Sequence, residues 1–368
     1  MLTRLHARLG DHALAVEAGE RALARDPTDM ATRLLVAQSL VRDRRSDEAL
    51  GRLLAIPEEQ RGADGNFAIG RVYAFREEWQ NARRYLELAL AAKPANAEVL
   101  ASLVQIDARE GKLGDAYARV RAARDAHPDD ASLALLLGQL AAASGRRDDA
   151  EAAFRKAIEI DPNQLAAYSN LAGLLIGTGR KDEAVATYER ALAQQPKSAS
   201  MNLLLGALLE ATGRPQDAMK RYESAIELDP GLAIAKNNLA YLLAERGENL
   251  DRALDLAQEA KADLPDDPNA ADTLGWVLYK NKVPVAAIGY LREAVGGLAP
   301  EDPNLPLVRH HLALAYEANE QPTQAVEALE QAVAELDAKR SAPGAPPHQD
   351  PPWAEPIRAQ LRRLRPSS

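Results

Sequence analysis

The sequence predicts an all-α fold, a solenoid of stacked antiparallel helical hairpins, and three observations carry that prediction. Proline recurs on one beat, with Pro94, Pro128, Pro162, Pro196 and Pro230 each 34 residues apart. A fixed period of that size marks a repeat architecture whose unit is one supersecondary element. Each unit carries two amphipathic stretches around a glycine, the pattern of two one-sided helices joined by a tight turn. Aromatic residues are only 4% while Ala and Leu dominate, and no alternating β-branched run exists. The interior is therefore expected to rest on close helix contacts around small side chains, without strands.

In chain order, alignment by proline sets the start of the first unit ahead of Met1, so Leu2 to Leu9 read as the latter part of a first helix. Either the start is internal to a longer protein, or a shortened helix caps the array; an incomplete first repeat also offers a route to self-association. In 30–62, Pro57 interrupts the second helix early. Residues 63–96 give Ile69-Gly70, Ala82, Leu86, Ala89 and Pro94, and 97–130 give Leu103, Gly111, Ala116, Ala123 and Pro128. The cleanest unit is 131–164. Leu137-Gly138 and Ala141 share one face of its first helix, Gly145 closes that helix with a positive φ, and Ala150, Phe154 and Ala157 share a face of the second. Gly138, Ala150 and Ala157 are small so that the two helices can approach closely, while Leu137 and Phe154 are expected to fill gaps between hairpins.

Residues 165–198 repeat the pattern as Leu171-Ala172, Gly179, Ala184, Tyr188, Ala191 and Pro196, and 199–232 as Leu205-Gly206, Gly213, Ala218, Tyr222, Ala225 and Pro230. Three looser units follow. Residues 233–267 carry one extra residue before Ala253, 268–305 put Lys282 at the turn and a long loop from Gly296 to Pro306, and 306–337 put Glu320 at the turn. The solenoid is thus expected over 1–340. Six prolines within Ser341 to Pro356 then read as an extended linker over 341–356. Ile357, Leu361 and Leu364 beside four arginines predict a short basic amphipathic helix over 357–368, placed to cap the last hairpin or to touch an acidic surface.

The spacing of large, small, glycine, small, aromatic, small and proline, held in register through five consecutive units, resembles the tetratricopeptide repeat family over about residues 1–337, roughly ten units. The resemblance implies a right-handed superhelix whose concave surface, lined by the first helix of each pair, holds a peptide or partner protein. The stretch NNLAYLLAERGENLDRALDLAQEA, with ADTLGWVLY and HHLALAYEA, also resembles bacterial envelope tetratricopeptide lipoproteins linked to exopolysaccharide export and exosortase sorting. Family members that clamp the acidic C-termini of heat-shock chaperones need Lys, Asn and Arg at fixed groove positions. Phe67, Arg71, Ser102 and Leu136 occupy one such frame here, and Asn237, Tyr241, Thr273 and His311 another, so the cationic pair is missing.

Composition and motifs narrow the function. The net charge of −9 disfavours wrapping a nucleic-acid backbone. Cysteine is absent, which removes disulfides and thiolate chemistry. No run of about 18 apolar residues exists to span a bilayer. Without a signal segment the sequence reads as cytoplasmic; a missing upstream signal would place it in the periplasm or at the outer membrane. No nucleophile elbow, phosphate loop, zinc-protease helix or dinucleotide fingerprint appears, so no enzyme activity, cofactor or metal is expected. His310 and His311 are adjacent, and neighbours on a helix point about 100° apart, which suits a groove position better than chelation.

What remains is the groove. In the first helices its stripe is bland at Ser132, Leu135, Gln139 and Ala142, and changes character toward the C-terminus. Asn237, Tyr241, Asp272, Trp276, Tyr279 and His310 combine aromatic area with hydrogen-bonding groups, the mixture enriched at binding hot spots. They are the expected peptide-binding residues, with Trp276 covering an apolar side chain of the ligand. The leading expectation is a non-catalytic interaction scaffold; the alternative is a structural subunit of a bacterial envelope export or exopolysaccharide machine.

Overall fold

The computed structural model describes residues 2–340 and 351–365, and among them every regular element is an α-helix. The expected linker residues 341–350 lie outside the described residues. The chain divides into two compact units, Met1–Thr187 and Tyr188–Ser368. The first unit contains α1 (Leu2–Arg8), α2 (His12–Leu23), α3 (Met30–Arg42), α4 (Ser46–Leu54), α5 (Glu58–Phe75) and α6 (Trp79–Ala92). It continues through α7 (Ala97–Arg109), α8 (Leu113–Ala126), α9 (Ala131–Ala143), α10 (Arg147–Ile160) and α11 (Leu165–Gly177). The division falls inside α12 (Lys181–Gln194).

The second unit holds α13 (Ala199–Ala211), α14 (Pro215–Leu228), α15 (Ala233–Arg246), α16 (Leu250–Asp263), α17 (Pro268–Lys280) and α18 (Pro284–Gly297). It ends with α19 (Leu305–Ala318), α20 (Pro322–Arg340) and α21 (Ala354–Leu364). Odd-numbered helices open the hairpins and even-numbered ones close them, and within each unit every hairpin packs on the next.

Each hairpin closes because its first helix offers a hollow that its second helix fills. At Gly138 of α9 an added Cβ would stand 2.6 Å from the Phe154 ring of α10. Only glycine lets that ring rest on the backbone, and Ala150 and Ala157, both fully buried, bring the rest of α10 up to α9. Gly206 receives Tyr222 and Gly275 receives Leu291 in the second unit, as Gly70 receives Leu86 in the first. Phe154 thus fills its own hairpin, where the sequence pattern pointed to the space between hairpins: removing one Cβ opens the nearer site, and the ring takes it.

The turns follow one geometry. Gly145 has φ 74°, its N–H donates to the Ala142 carbonyl at 3.0 Å, and the Arg146 N–H donates to the Ala141 carbonyl at 2.8 Å, which satisfies the last carbonyls of α9. At Arg44, Glu77, Lys282 and Glu320 the same turn is made by a residue with a side chain, at φ between 56° and 63°, a conformation that costs roughly 1–2 kcal/mol. The starts of α3, α7, α9, α13 and α17 are capped by Asp29, Asn96, Asp130, Ser198 and Asp267, whose side chains accept from first-turn N–H groups.

Two hairpins depart from this plan. α4 stops at Leu54, Pro57 precedes α5, and Gly62 kinks α5 with φ 55° and ψ −162°. Arg61 reaches back from the kink, donating through Nε to the Ile56 carbonyl and through Nη2 to that of Leu54, both at 2.8 Å. In the hairpin of α7 and α8, Val104 stands where α9 has Gly138 and Val120 where α10 has Phe154, so the large and small partners are evened out. There Asp107, 1% exposed, takes Arg83 of α6 and Arg119 of α8, each at 2.7 Å, and ties three helices together. Removing one side of such a buried set costs about 3–5 kcal/mol.

At the end of the second unit, α21 lays Ala354, Ile357 and Leu361 on Ala325, Leu329, Ala332 and Leu336 of α20. Arg358 pairs with Asp337 at 3.1 Å, Arg363 with Glu317 at 2.7 Å and Arg365 with Glu330 at 2.8 Å. The helix starts at Ala354, ahead of Pro356, because a proline in a first turn lacks only an N–H that has no acceptor there.

The hollow predicts opposite outcomes for two glycine substitutions in first helices of the same unit. Gly138→Ala is expected to cost about 1–3 kcal/mol. Gly173→Ala, where a Cβ meets nothing within 4 Å, is expected to stabilise by about 0.5–1 kcal/mol. Urea titrations of the two variants check the signs.

Candidate ligand-binding groove

The six residues of the expected groove stand on three successive first helices of the second unit. Asn237 and Tyr241 are one turn apart on α15, Asp272, Trp276 and Tyr279 follow the i, i+4, i+7 line on α17, and His310 lies on α19. The structure joins four of them through a fifth residue, His311. Its Nδ1 is 2.9 Å from Asp272 Oδ1, and both side chains are largely buried. Its ring stacks on Trp276 with centroids 4.2 Å apart, and Trp276 stacks in turn on Tyr279 at 5.1 Å. Tyr241 stands 6.4 Å from the same imidazole, tilted. Lys280 Nζ lies 4.8 Å from the Trp276 ring, adding a cation–π contact.

Asp272 fixes the tautomer and angle of the imidazole, with Nδ1–H donating, and the stack fixes the indole. Trp276 is only 6% exposed and is therefore a wall of the site rather than a free platform. The side chains that reach the surface are Tyr241 and Tyr279, both half-buried, with Asp272 beside them. Burial, reinforced by Glu245 and Asp272, raises the Tyr241 phenol, so it stays a neutral donor. Of the six expected residues, two have a buried atom without a partner among the described residues, Trp276 Nε1, a donor, and Asn237 Oδ1, an acceptor.

Asn237 is linked elsewhere. Its amide donates to Asn238 Oδ1 at 3.4 Å, Asn238 donates to the Tyr222 hydroxyl at 3.3 Å, and Tyr222 donates to Glu210 at 2.8 Å. Glu210 is raised above its ordinary range by burial, against the lowering effect of the Tyr222 bond. His310 turns away from the cluster. It meets Gln360 of α21, whose Nε2 also donates to Glu317 at 2.8 Å, and burial with the neighbouring His311 lowers it to about 4.

The sequence stripe named His310 on α19, and the residue that the structure brings into the cluster is its neighbour His311. His311 occupies the register of Thr273 on α17 and Asn238 on α15, the side of a first helix that faces the preceding hairpin, while His310 faces α21. The adjacency of the pair was the available signal, since a 100° step must send one ring each way. Among the described residues no group of three or more His, Asp or Glu is placed to hold a metal ion, and no helix is long and apolar enough to cross a membrane.

His310 yields a pH dependence. Its unfolded value is near 6.5 and its folded value about 4, so between them the unfolded state binds more protons and stability falls as pH falls. The loss amounts to about 2 kcal/mol by about pH 5. Thermal melts are expected to show a smaller drop between about pH 7.5 and about pH 5 for His310→Gln than for the wild type.

Comparison with known proteins gives a consistent family. Models described as tetratricopeptide repeat match residues 141–208, residues 102–164 and 213–268, and residues 308–335. A search of curated proteins finds no match. Among solved structures, the crystal structure of the APC/C hetero-tetramer Cut9-Hcn1 is similar over 98% of this chain and 74% of that one, at 17% identity and a TM-score of 0.52. A tetratricopeptide repeat protein from Parabacteroides merdae is similar over 73% of this chain and 98% of its own, at 16% identity and 0.48. YrrB, described as having an unusual peptide-binding site, is similar over 55% and 97%, at 21% identity and 0.43. At 17% identity the likeness to the first of these shows the fold alone.

Proposed function

Because the chain belongs to the tetratricopeptide repeat family, we propose that it is an interaction scaffold without chemistry of its own, which holds a segment of a partner protein on the α15, α17 and α19 face of its second unit. The observation that carries this reading is the His311 cluster. Tyr241, Asp272, Trp276 and Tyr279 from two helices are fixed around one imidazole from a third, so the face is rigid before a ligand arrives and little ordering entropy remains to be lost.

The chemistry of the face describes the ligand. Tyr241 and Tyr279 present apolar area with a hydroxyl at the rim, and Asp272 is an acceptor for a backbone N–H or a cation. A partner segment with one apolar side chain between main-chain hydrogen bonds meets those groups. His310, under α21, lies at the edge of the face and acts through the position of the tail helix.

Panning a randomised peptide library on the intact chain supplies a ligand for measurement. Tyr241→Ala and Tyr279→Ala, both on half-buried side chains, are each expected to weaken its binding by about 2 kcal/mol, roughly thirty-fold. Circular dichroism confirms that the helices persist. Undiminished affinity in both folded variants would place the binding face elsewhere.

A further inference from the structure

We propose that the first unit carries a separate binding site, a basic channel with apolar walls that takes an acidic peptide segment bearing an aliphatic or aromatic side chain. A cavity of about 630 Å³ lies between α3 and α5 and is closed beneath by Leu53 of α4. Val41, Phe67, Val72 and Phe75 form its walls, and Ala37 and Ala68 leave its middle unfilled. Phe75, at 59% exposed, is a large apolar side chain left at the rim. Volumes of this order, mostly apolar with a few convergent polar groups, are those of ligand sites.

The polar groups are cationic. Arg42, Arg44 and Arg71 line the cavity, and its one carboxylate, Asp64, is engaged by Lys93 at 2.9 Å. A second cavity of about 580 Å³ shares Gln38 and Arg42 with the first and adds Arg4, Arg8 and His12, with no carboxylate in its lining. Other arginines of the unit are engaged, Arg45 by Glu48, Arg76 by Glu78 and Arg83 by Asp107, while Arg109 and Arg146 lie over the Trp79 and Tyr117 rings. Among the described residues, Arg42, Arg44 and Arg71 have no acidic partner; Arg71 lies over the Phe67 ring, 5.7 Å from its centroid. In a chain whose net charge is −9, a run of unmatched guanidinium groups along an apolar trough is a local reversal of sign.

Charge complementarity selects the occupant. A guanidinium fork pairs with a carboxylate through two parallel hydrogen bonds, and low-dielectric walls strengthen the pair. A peptide of alternating acidic and apolar residues meets both demands, because an extended chain sends successive side chains to opposite sides about 3.3 Å apart. Nucleic acid fits less well. It needs a succession of open aromatic faces for its bases, whereas Arg71 lies over the Phe67 ring and only Phe75 of the two wall rings is left at the rim.

The test is fluorescence anisotropy on the full chain with the amidated, fluorescein-labelled peptide Glu-Leu-Glu-Phe-Glu. Its counterparts Gln-Leu-Gln-Phe-Gln and Glu-Ser-Glu-Ser-Glu are each expected to bind at least about ten-fold more weakly. The combined Arg42→Ser and Arg71→Ser variant is expected to lose at least about ten-fold in affinity for the first peptide. Phe75→Ser, at an exposed position, is expected to weaken binding and serves if the double variant does not fold. Failure of the first peptide to bind below about 1 mM, equal binding of the glutamine peptide, tighter binding of oligothymidylate, or full affinity in a folded variant would each overturn the proposal.

Discussion

The distance between the two helices of a hairpin governs most of what is described above. Where Gly138, Gly206 or Gly275 removes a Cβ, the facing ring or leucine drops onto the backbone, and the hairpin is drawn tight at one point. A tight hairpin requires a short turn, hence the left-handed residue and the paired N–H donations at Gly145 and its counterparts. It also commits the inner faces of both helices to each other, so the outer face of each first helix is released for other uses. The hairpin of α7 and α8 obeys the same constraint by another route. With Val104 facing the Val120 register, no ring is there to seat, and Asp107 with Arg83 and Arg119 supplies a polar clamp in place of the lock.

The released faces are not alike. On α3 and α5 it is lined by guanidinium groups that have no acidic partner among the described residues, over apolar walls. On α15, α17 and α19 it is aromatic and held by a buried His–Asp pair. On α15, α17 and α19 the backbone plan is that of the blander hairpins, where Ser132 and Gln139 stand at the corresponding positions, so the difference there is one of side chains on a constant frame.

That constancy explains what was legible in the sequence. The period, the turn residues down to Lys282 and Glu320, the early stop at Pro57 and the closeness at Gly138 all follow from local rules about glycine, proline and apolar spacing. The clustered side chains of α15 and α17 were legible for the same reason, being a stripe on a known helix. His311 was not, because its role depends on which neighbouring helix it faces, and a stripe does not encode that. Asp107 carries no local mark that sets it apart, since its two arginines lie 24 and 12 residues away in the chain. The basic channel was hidden for a similar reason. Its cations come from α3, the turn after it and α5, in the least regular stretch of the array, and form no contiguous basic run. Phe67 and Arg71 were compared only with a clamp frame that they do not complete.

The turns themselves are unevenly furnished. Glycine makes them at positions 111, 145, 179, 213 and 247, whereas Arg44, Glu77, Lys282 and Glu320 hold left-handed backbone with a side chain attached. Those four follow α3, α5, α17 and α19, four of the five helices that present the two distinctive faces; the fifth, α15, ends at Gly247. Torsional strain is thus concentrated beside those faces. For protein engineering this leaves headroom: glycine at 77, 282 and 320 offers a route to greater heat tolerance that alters neither face, while at 44 the same gain would be bought by surrendering a guanidinium.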